Sequence, residues 1–216
     1  MQLTLVFPRR AQRGGARAGA GRKRLPIGRR STPHRARPAH RAAHPVHITL
    51  RSGLRSLRTQ FVAPTVVGAL RAANRPDFRV IHYSIQANHL HLIAEARNAD
   101  ALSSGMRGLA VRLARRLNRL LVRRGQVWVD RWHGNELTSP RQVRNALVYV
   151  LQNHVKHSAV RRHPPIDPFS SARDFDGFAF AANRARAGPP VAPQCWLLRV
   201  GWKRHGLIRH DEAPAH

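Results

Sequence analysis

Phe78-Arg-Val-Ile-His-Tyr-Ser-Ile85-Gln-Ala-Asn88-His-Leu-His-Leu-Ile-Ala-Glu95 contains two runs rich in β-branched and aromatic residues, separated by a short polar break. The pattern predicts two antiparallel strands, 78–85 and 88–95, joined by a tight turn near Gln86-Ala-Asn88. Side chains two apart share one face of a strand. In the second run His89, His91, Ile93 and Glu95 therefore point one way, while Leu90, Leu92 and Ala94 point the other. The apolar set can face helices, which leaves both imidazoles outside that core. In the first run the same alternation places Tyr83 with Ile81 and Ile85, as a core residue.

Working outward, His44-Pro-Val-His-Ile-Thr-Leu-Arg51 alternates and reads as a first strand, with a helix over about 56–73 whose start Pro64 leaves open. Downstream, Asn98 or Asp100 can cap a helix running to about Arg124, because Leu102, Met106, Leu109, Leu113 and Leu117 recur three and four apart. Gly125 stops it. Val127-Trp-Val-Asp-Arg-Trp-His133 reads as a fourth strand, and Ser139-Pro140 as the N-cap and N1 of a last helix reaching about His157. The order β-α-β-β-α-β-α is that of a ferredoxin-like split βαβ unit. This is an α+β fold with an antiparallel four-stranded sheet, two helices on one face, and an additional C-terminal helix free to cover the other.

The flanks differ from this core. Residues 1–43 carry twelve Arg or Lys and no acid among repeated Gly, Ala and Pro, so they read as a disordered basic arm. The arm's glycines lack the Gly-Lys-Ser/Thr of a phosphate-binding loop, and no strand precedes them. The domain is expected over 44–158, followed over 159–216 by linker, including His163–Pro168 and Gly188–Pro193, and by a short aromatic stretch, 196–206, that packs back on it.

Charge narrows the function. Lys plus Arg number 39 against 10 Asp plus Glu, a net charge of +29, and with only three lysines 36 of the 39 cations are arginine. A polyanion is the expected partner, nucleic acid above all. One cysteine, Cys195, excludes an intramolecular disulfide framework and a multi-thiolate zinc site, and fits a reducing compartment. No apolar run approaches the eighteen or so residues of a membrane span, and the start lacks a signal peptide's charged and apolar regions. The expectation is a cytoplasmic, nucleoid-associated protein with no membrane partner.

Two sets of residues could carry chemistry. Histidines at alternate positions of one strand can hold a divalent metal through neutral ring nitrogens, with Asn88 available to orient them. In a chain with fourteen histidines, His89 and His91 can equally be surface residues. On the last helix Val143, Leu147, Val150, Leu151 and Val155 form an apolar stripe. Tyr149 and Asn153, at i and i+4, project together beside it, with Gln142, Asn145 and Lys156 roughly in line. An interfacial tyrosine with a solvated asparagine accounts for that pair equally well.

Taken together, Asn88-His-Leu-His-Leu, Asp130-Arg-Trp-His133 and Asn145-Ala-Leu-Val-Tyr-Val-Leu-Gln-Asn153 resemble the single-tyrosine HUH transposases, in particular the REP-associated tyrosine transposases with their IS200-like domain. The similarity spans about residues 44–157, just over half the chain. It implies that His89 and His91 bind a divalent metal, Mg²⁺ or Mn²⁺, that Asn153 contributes to the same site, and that Tyr149 is the nucleophile. Relatives often have Gln where Asn153 stands and Tyr where Trp132 stands. The implied reaction is metal-dependent cleavage and strand transfer of single-stranded DNA through a 5′-phosphotyrosine, on repeats that fold into hairpins. A phenol with a reference pKa of about 10 needs such assistance at neutral pH.

Phosphate contacts are expected from Arg112, Arg115, Arg116 and Arg119 on the second helix and from Arg141, Arg144 and Lys156 around the third, with Arg161, Arg162 and the arm adding to them. Trp128, Trp132, Trp196 and Trp202 are the aromatic residues available for stacking, and at least one of them is expected to be structural. Glu95 could approach a metal or pair with an arginine; His133 could touch phosphate. No Cys-x-x-Cys accompanies the histidines, which argues against a zinc deaminase. A domesticated, non-catalytic nucleic-acid-binding protein of the same fold is the alternative reading. Relatives that place the tyrosine helix in a partner's site and relatives that keep it in their own are both similar, so a homodimer with a trans tyrosine and a self-contained subunit stay open.

Overall fold

The computed structural model describes residues 39–154, 166–179 and 191–209, together with 212 and 214. The elements are β1 (Val46–Arg51), α1 (Ala63–Arg71), β2 (Phe78–Ile85), β3 (His89–Ala96), α2 (Ala99–Leu120), β4 (His133–Glu136) and α3 (Pro140–Leu151). Two 3₁₀ turns, Ser171–Asp174 and Gly201–His205, and a short α4 (Trp196–Arg199) follow. The sheet runs β2-β3-β1-β4 with every pairing antiparallel, as the ferredoxin-like reading requires.

Each face of the sheet has its own core. Val46, Ile48 and Leu50 of β1 join Leu90, Leu92 and Ala94 of β3 beneath the apolar stripes of α1 and α2. Gly105 lets α2 approach β2, since a Cβ there would lie 2.2 Å from the Phe78 ring. On the opposite face Ile81 and Ile93 meet Val143, Leu147, Val150 and Leu151 of α3, with Trp202 and Phe175 closing the layer. The alternation of β3 is therefore as read from the sequence.

Tyr83 lies in the core but not with Ile81. The β2–β3 register shifts between Val80 and His82, so Val80, Tyr83 and Ile85 face α1 and α2 while Ile81 faces α3. A bulge of this kind is invisible to a strict period of two. The first helix begins at Ala63 rather than near 56, with Pro64 in its opening turn where the missing N–H costs nothing. Its successor ends at Leu120, short of Arg124; Val122 then adopts φ 48° and Gly125 φ 99°. Asn98 does cap α2, accepting from the Ala101 N–H at 2.8 Å, and Ser139 caps α3.

The fourth strand is displaced: it occupies 133–136, and 127–132 is not a continuous strand. Helix α3 is interrupted after Leu151, where Gln152 leaves helical geometry at φ −118°; residues 153 and 154 are helical again, and Val155 and the rest of the expected span to His157 lie outside the described residues. His40 binds the Glu136 carboxylate and the Ala96 carbonyl, both at 3.0 Å, so ordered packing begins before 43. Ile166–Pro168 does not behave as linker, because Asp167 is buried and receives a two-pronged ion pair from Arg58, at 2.8 and 3.0 Å. The 196–206 stretch does pack back on the α3 layer. Residues 1–38 of the expected arm, Lys156, Arg161 and Arg162 lie outside the described residues, as do 163–165 and 188–190. No helix among the described residues is long and apolar enough to cross a membrane.

Candidate active site

The α3-facing side of the sheet is apolar near β2 and polar near β4. Strand register explains the polarity: Thr49 stands opposite His91, and opposite His133 on its other side, while His47 stands opposite Ile93 and Asn135. Antiparallel partners share a face, so His47 and Thr49 join His91 on the side that α3 covers. His89 lies two residues further along the same face, half-buried, while His133 and Asn135 are exposed.

The imidazoles are held in contact. The His89 and His91 rings are 4.6 Å apart, centre to centre, and nearly perpendicular. His89 Nδ1 lies 2.6 Å from Asn88 Oδ1, and His91 Nδ1 lies 3.2 Å from Thr49 Oγ1 and 3.3 Å from His47 Nε2. Each histidine thus engages a neighbour through Nδ1, the arrangement by which ligand histidines are oriented. Burial pulls the His47 pKa down to about 4, so that ring is a neutral imidazole at physiological pH.

The last helix brings the phenol to this cluster. Tyr149 is half-buried, with its ring 4.9 Å from that of His91, at 88°, and 5.4 Å from that of His47. The tyrosine and the histidine pair, separated by almost sixty residues in sequence, therefore meet within one chain. Asn153 follows the break at Gln152 and is fully buried, with neither carboxamide atom hydrogen-bonded among the described residues. A buried amide in that condition calls for a partner.

Among the described residues no three or more His, Cys, Asp or Glu side chains are grouped to hold a metal. Two imidazole nitrogens are softer donors than a hard cation such as Mg²⁺ prefers, so an ion held by His89 and His91 would need oxygen from a carboxamide, water or phosphate to complete its shell. Glu95 is not available to such a cation. It is buried, ion-paired with Arg79, and accepts the Gln194 and Cys195 N–H groups.

The expected phosphate contacts divide. Arg115, Arg116 and Arg119 are exposed and Arg112 half-buried, all on the helix that covers the other side of the sheet from the histidines. Arg141 is exposed in the first turn of α3. Arg144 is engaged instead with the Glu212 carboxylate and the Gly206 and Leu207 carbonyls, 3.0 Å each, a tether rather than an open cation. Gln142 receives the Thr138 N–H at 2.7 Å and closes the helix start. Trp128 and Trp202 each donate Nε1–H to a backbone carbonyl, and Trp202 is fully buried and structural.

Sequence reasoning missed His47 and Thr49. The signal was present as His47-Ile-Thr49, a polar alternation on an otherwise apolar strand, but only the sheet order shows that this strand neighbours His91.

No protein-family model and no curated protein matches the chain. A solved structure does: a REP-associated tyrosine transposase bound to a REP hairpin, with a TM-score of 0.52 and 21% identity over 66% of this chain and 85% of that one. At that identity the likeness is one of fold.

Proposed function

We propose that this protein cleaves and rejoins single-stranded DNA beside a hairpin, as a transposase that uses Tyr149 as nucleophile. The observation that carries the reading is the convergence of Tyr149 with His91 and His89 on one sheet face. The fold shared with a hairpin-bound tyrosine transposase and the net charge of +29 support it.

His89, His91 and Asn153 would hold a Mg²⁺ or Mn²⁺ ion, which when bound supplies Lewis-acid polarisation of the scissile phosphate and charge stabilisation at the departing oxygen. Thr49 and His47 keep the His91 ring oriented through its Nδ1. The Tyr149 oxygen attacks phosphorus in line, the bond from phosphorus to the 3′ oxygen breaks, and the phenol proton is passed to solvent or to that leaving oxygen. The products are a 5′-phosphotyrosine and a free 3′-OH. One phosphodiester has replaced another, so a second 3′-OH can reverse the step on new DNA without ATP. Exposed arginines hold the polyanion meanwhile, an attraction that weakens with salt.

The test is a covalent-adduct assay with the full chain, Mn²⁺ and an end-labelled hairpin carrying single-stranded flanks. A labelled protein band in the wild type that is absent in Tyr149→Phe is the expected result. Tight, salt-sensitive binding with no adduct under any metal would instead identify a DNA-binding protein that has lost turnover, and adduct surviving in Tyr149→Phe would remove the assignment.

A further inference from the structure

The edge of the sheet beside β1 is built in two pieces. Val129 donates its N–H to the Arg51 carbonyl at 3.0 Å, Gly53 donates to the Val127 carbonyl at 2.8 Å, and Ser52 bridges Trp128. Pairing resumes with His133 opposite Thr49. Between those two points residues 129–132 stand against only 50 and 51, so Asp130-Arg-Trp132 is extruded from the ladder. Bulges of this sort re-aim side chains at the rim of a sheet.

The extruded segment and α2 line a half-open cavity of about 350 Å³, bordered by Leu50, Met106, Arg107, Trp128, Arg131 and Trp132, with Asp130 in its wall. That volume is at the small end of the range for organic ligands. Trp128 is fixed by its Nε1–H bond to the Ala110 carbonyl, 2.9 Å. The Trp132 ring lies over Gly134, where even a Cβ would come within 2.7 Å of it. Two indoles are thus anchored at one cavity, and Arg107 and Arg131 are both exposed.

We propose that this cavity receives one unpaired nucleobase of the bound DNA, an inference that rests on the reading of the chain as a single-strand DNA enzyme. Indole faces stack on any base, and exposed guanidiniums can meet the phosphates on either side of it. A phosphate inside the cavity is disfavoured by the apolar Leu50 and Met106 and by the Asp130 carboxylate, one oxygen of which accepts the Arg131 N–H at 2.7 Å. The location is apt, because Leu50 lines the cavity on one face of β1 while the adjacent Thr49 touches His91 on the other. A single strand passing over the four-residue edge strand β4 can leave a base on one face and present a phosphate to the other.

The experiment uses the full chain in EDTA and a hairpin with a 5′ single-stranded extension, each nucleotide of which is replaced in turn by an abasic site. One position is expected to lower affinity about ten-fold in the wild type, a loss typical of one stacked base. In Trp132→Ala the same replacement costs little further, and in Arg107→Ala, an exposed change that spares the fold, binding weakens while the folded spectrum is kept. A blunt hairpin binds all three proteins equally. Uniform tolerance of abasic sites, or losses from Trp132→Ala and the abasic site that simply add, overturns the proposal. In a parallel arm with Mn²⁺ in place of EDTA, adduct formation without base dependence removes the cavity's role and leaves the catalytic reading intact; base dependence without adduct does the reverse.

Discussion

Tyr149 meets the His91 ring edge-on, 4.9 Å between ring centres, across the packing of α3 on the sheet. The contact depends on the apolar stripe of α3: Val143, Leu147 and Val150 are fully buried, and their seating against Ile93 fixes the azimuth at which Tyr149 emerges. On β3 the residue after Leu92 is that Ile93, and the one before it is His91. A single strand thus supplies both the anchor of the helix and the imidazole that the phenol reaches.

His47 and Thr49 flank the Nδ1 of His91, so they should act through its orientation. Thr49→Val and His47→Ala are each expected to weaken Mn²⁺ binding about 10- to 100-fold, the usual cost of losing an outer partner of a ligand histidine. Calorimetric titration with Mn²⁺ reads this, and circular dichroism confirms that the fold is retained. Unchanged affinity in both variants would mean that His91 needs no support, or that it is not a ligand.

Glu95 shares a sheet face with both histidines, yet its role is structural. Removing it in Glu95→Ala leaves the buried Arg79 guanidinium uncompensated and two N–H groups, of Gln194 and Cys195, without their acceptor. Breaking one side of a buried pair typically costs about 3–5 kcal/mol. Urea unfolding should show a loss of that order, with Mn²⁺ affinity of the folded fraction unaltered. A variant that folds normally but no longer binds metal would make Glu95 a ligand after all.

The architecture was readable from the chain because period-two and period-3.6 patterns are dictated by burial, and the β3 and α2 patterns are clean: Leu90, Leu92 and Ala94 face the helices as expected. What escaped were features set by neighbours distant in sequence. The bulge at Ile81–His82 and the extrusion of Asp130–Trp132 depend on how strands pair, and His47 becomes part of the site only because β1 lies beside β3. Arg144 looked like a phosphate contact until Glu212, far along the chain, took its guanidinium. Local sequence gives a side chain's face but not who shares it.

His82 should make stability depend on pH. Burial lowers its pKa from 6.5 to about 4, against an opposing influence of Asp176. In the unfolded chain the ring takes a proton as pH falls through 6.5, while the folded chain resists until about 4. Unfolding is therefore favoured progressively between those values, and the loss should reach about 2 kcal/mol near pH 5. His47, lowered to about 4 by burial as well, adds a change of the same sign. Urea titrations across this window should show a shallower slope for His82→Gln than for the wild type; identical slopes would show that His82 is not the titrating group.

Arg141 and Arg144 lie three residues apart on α3 and should behave oppositely. Arg141 is exposed, so Arg141→Ala ought to weaken DNA binding at low salt and reduce the slope of log affinity against log salt by about one. Arg144 is tied to Glu212, Gly206 and Leu207, and the same pairing lowers the Glu212 pKa through the Arg144 hydrogen bond. Arg144→Ala should therefore leave the salt slope unchanged and instead expose the C-terminal segment after Gly206 to limited proteolysis. The two readouts separate a contact to phosphate from a clamp on the protein's own chain, and a fall in the salt slope for Arg144→Ala would show that DNA displaces Glu212 to claim the guanidinium.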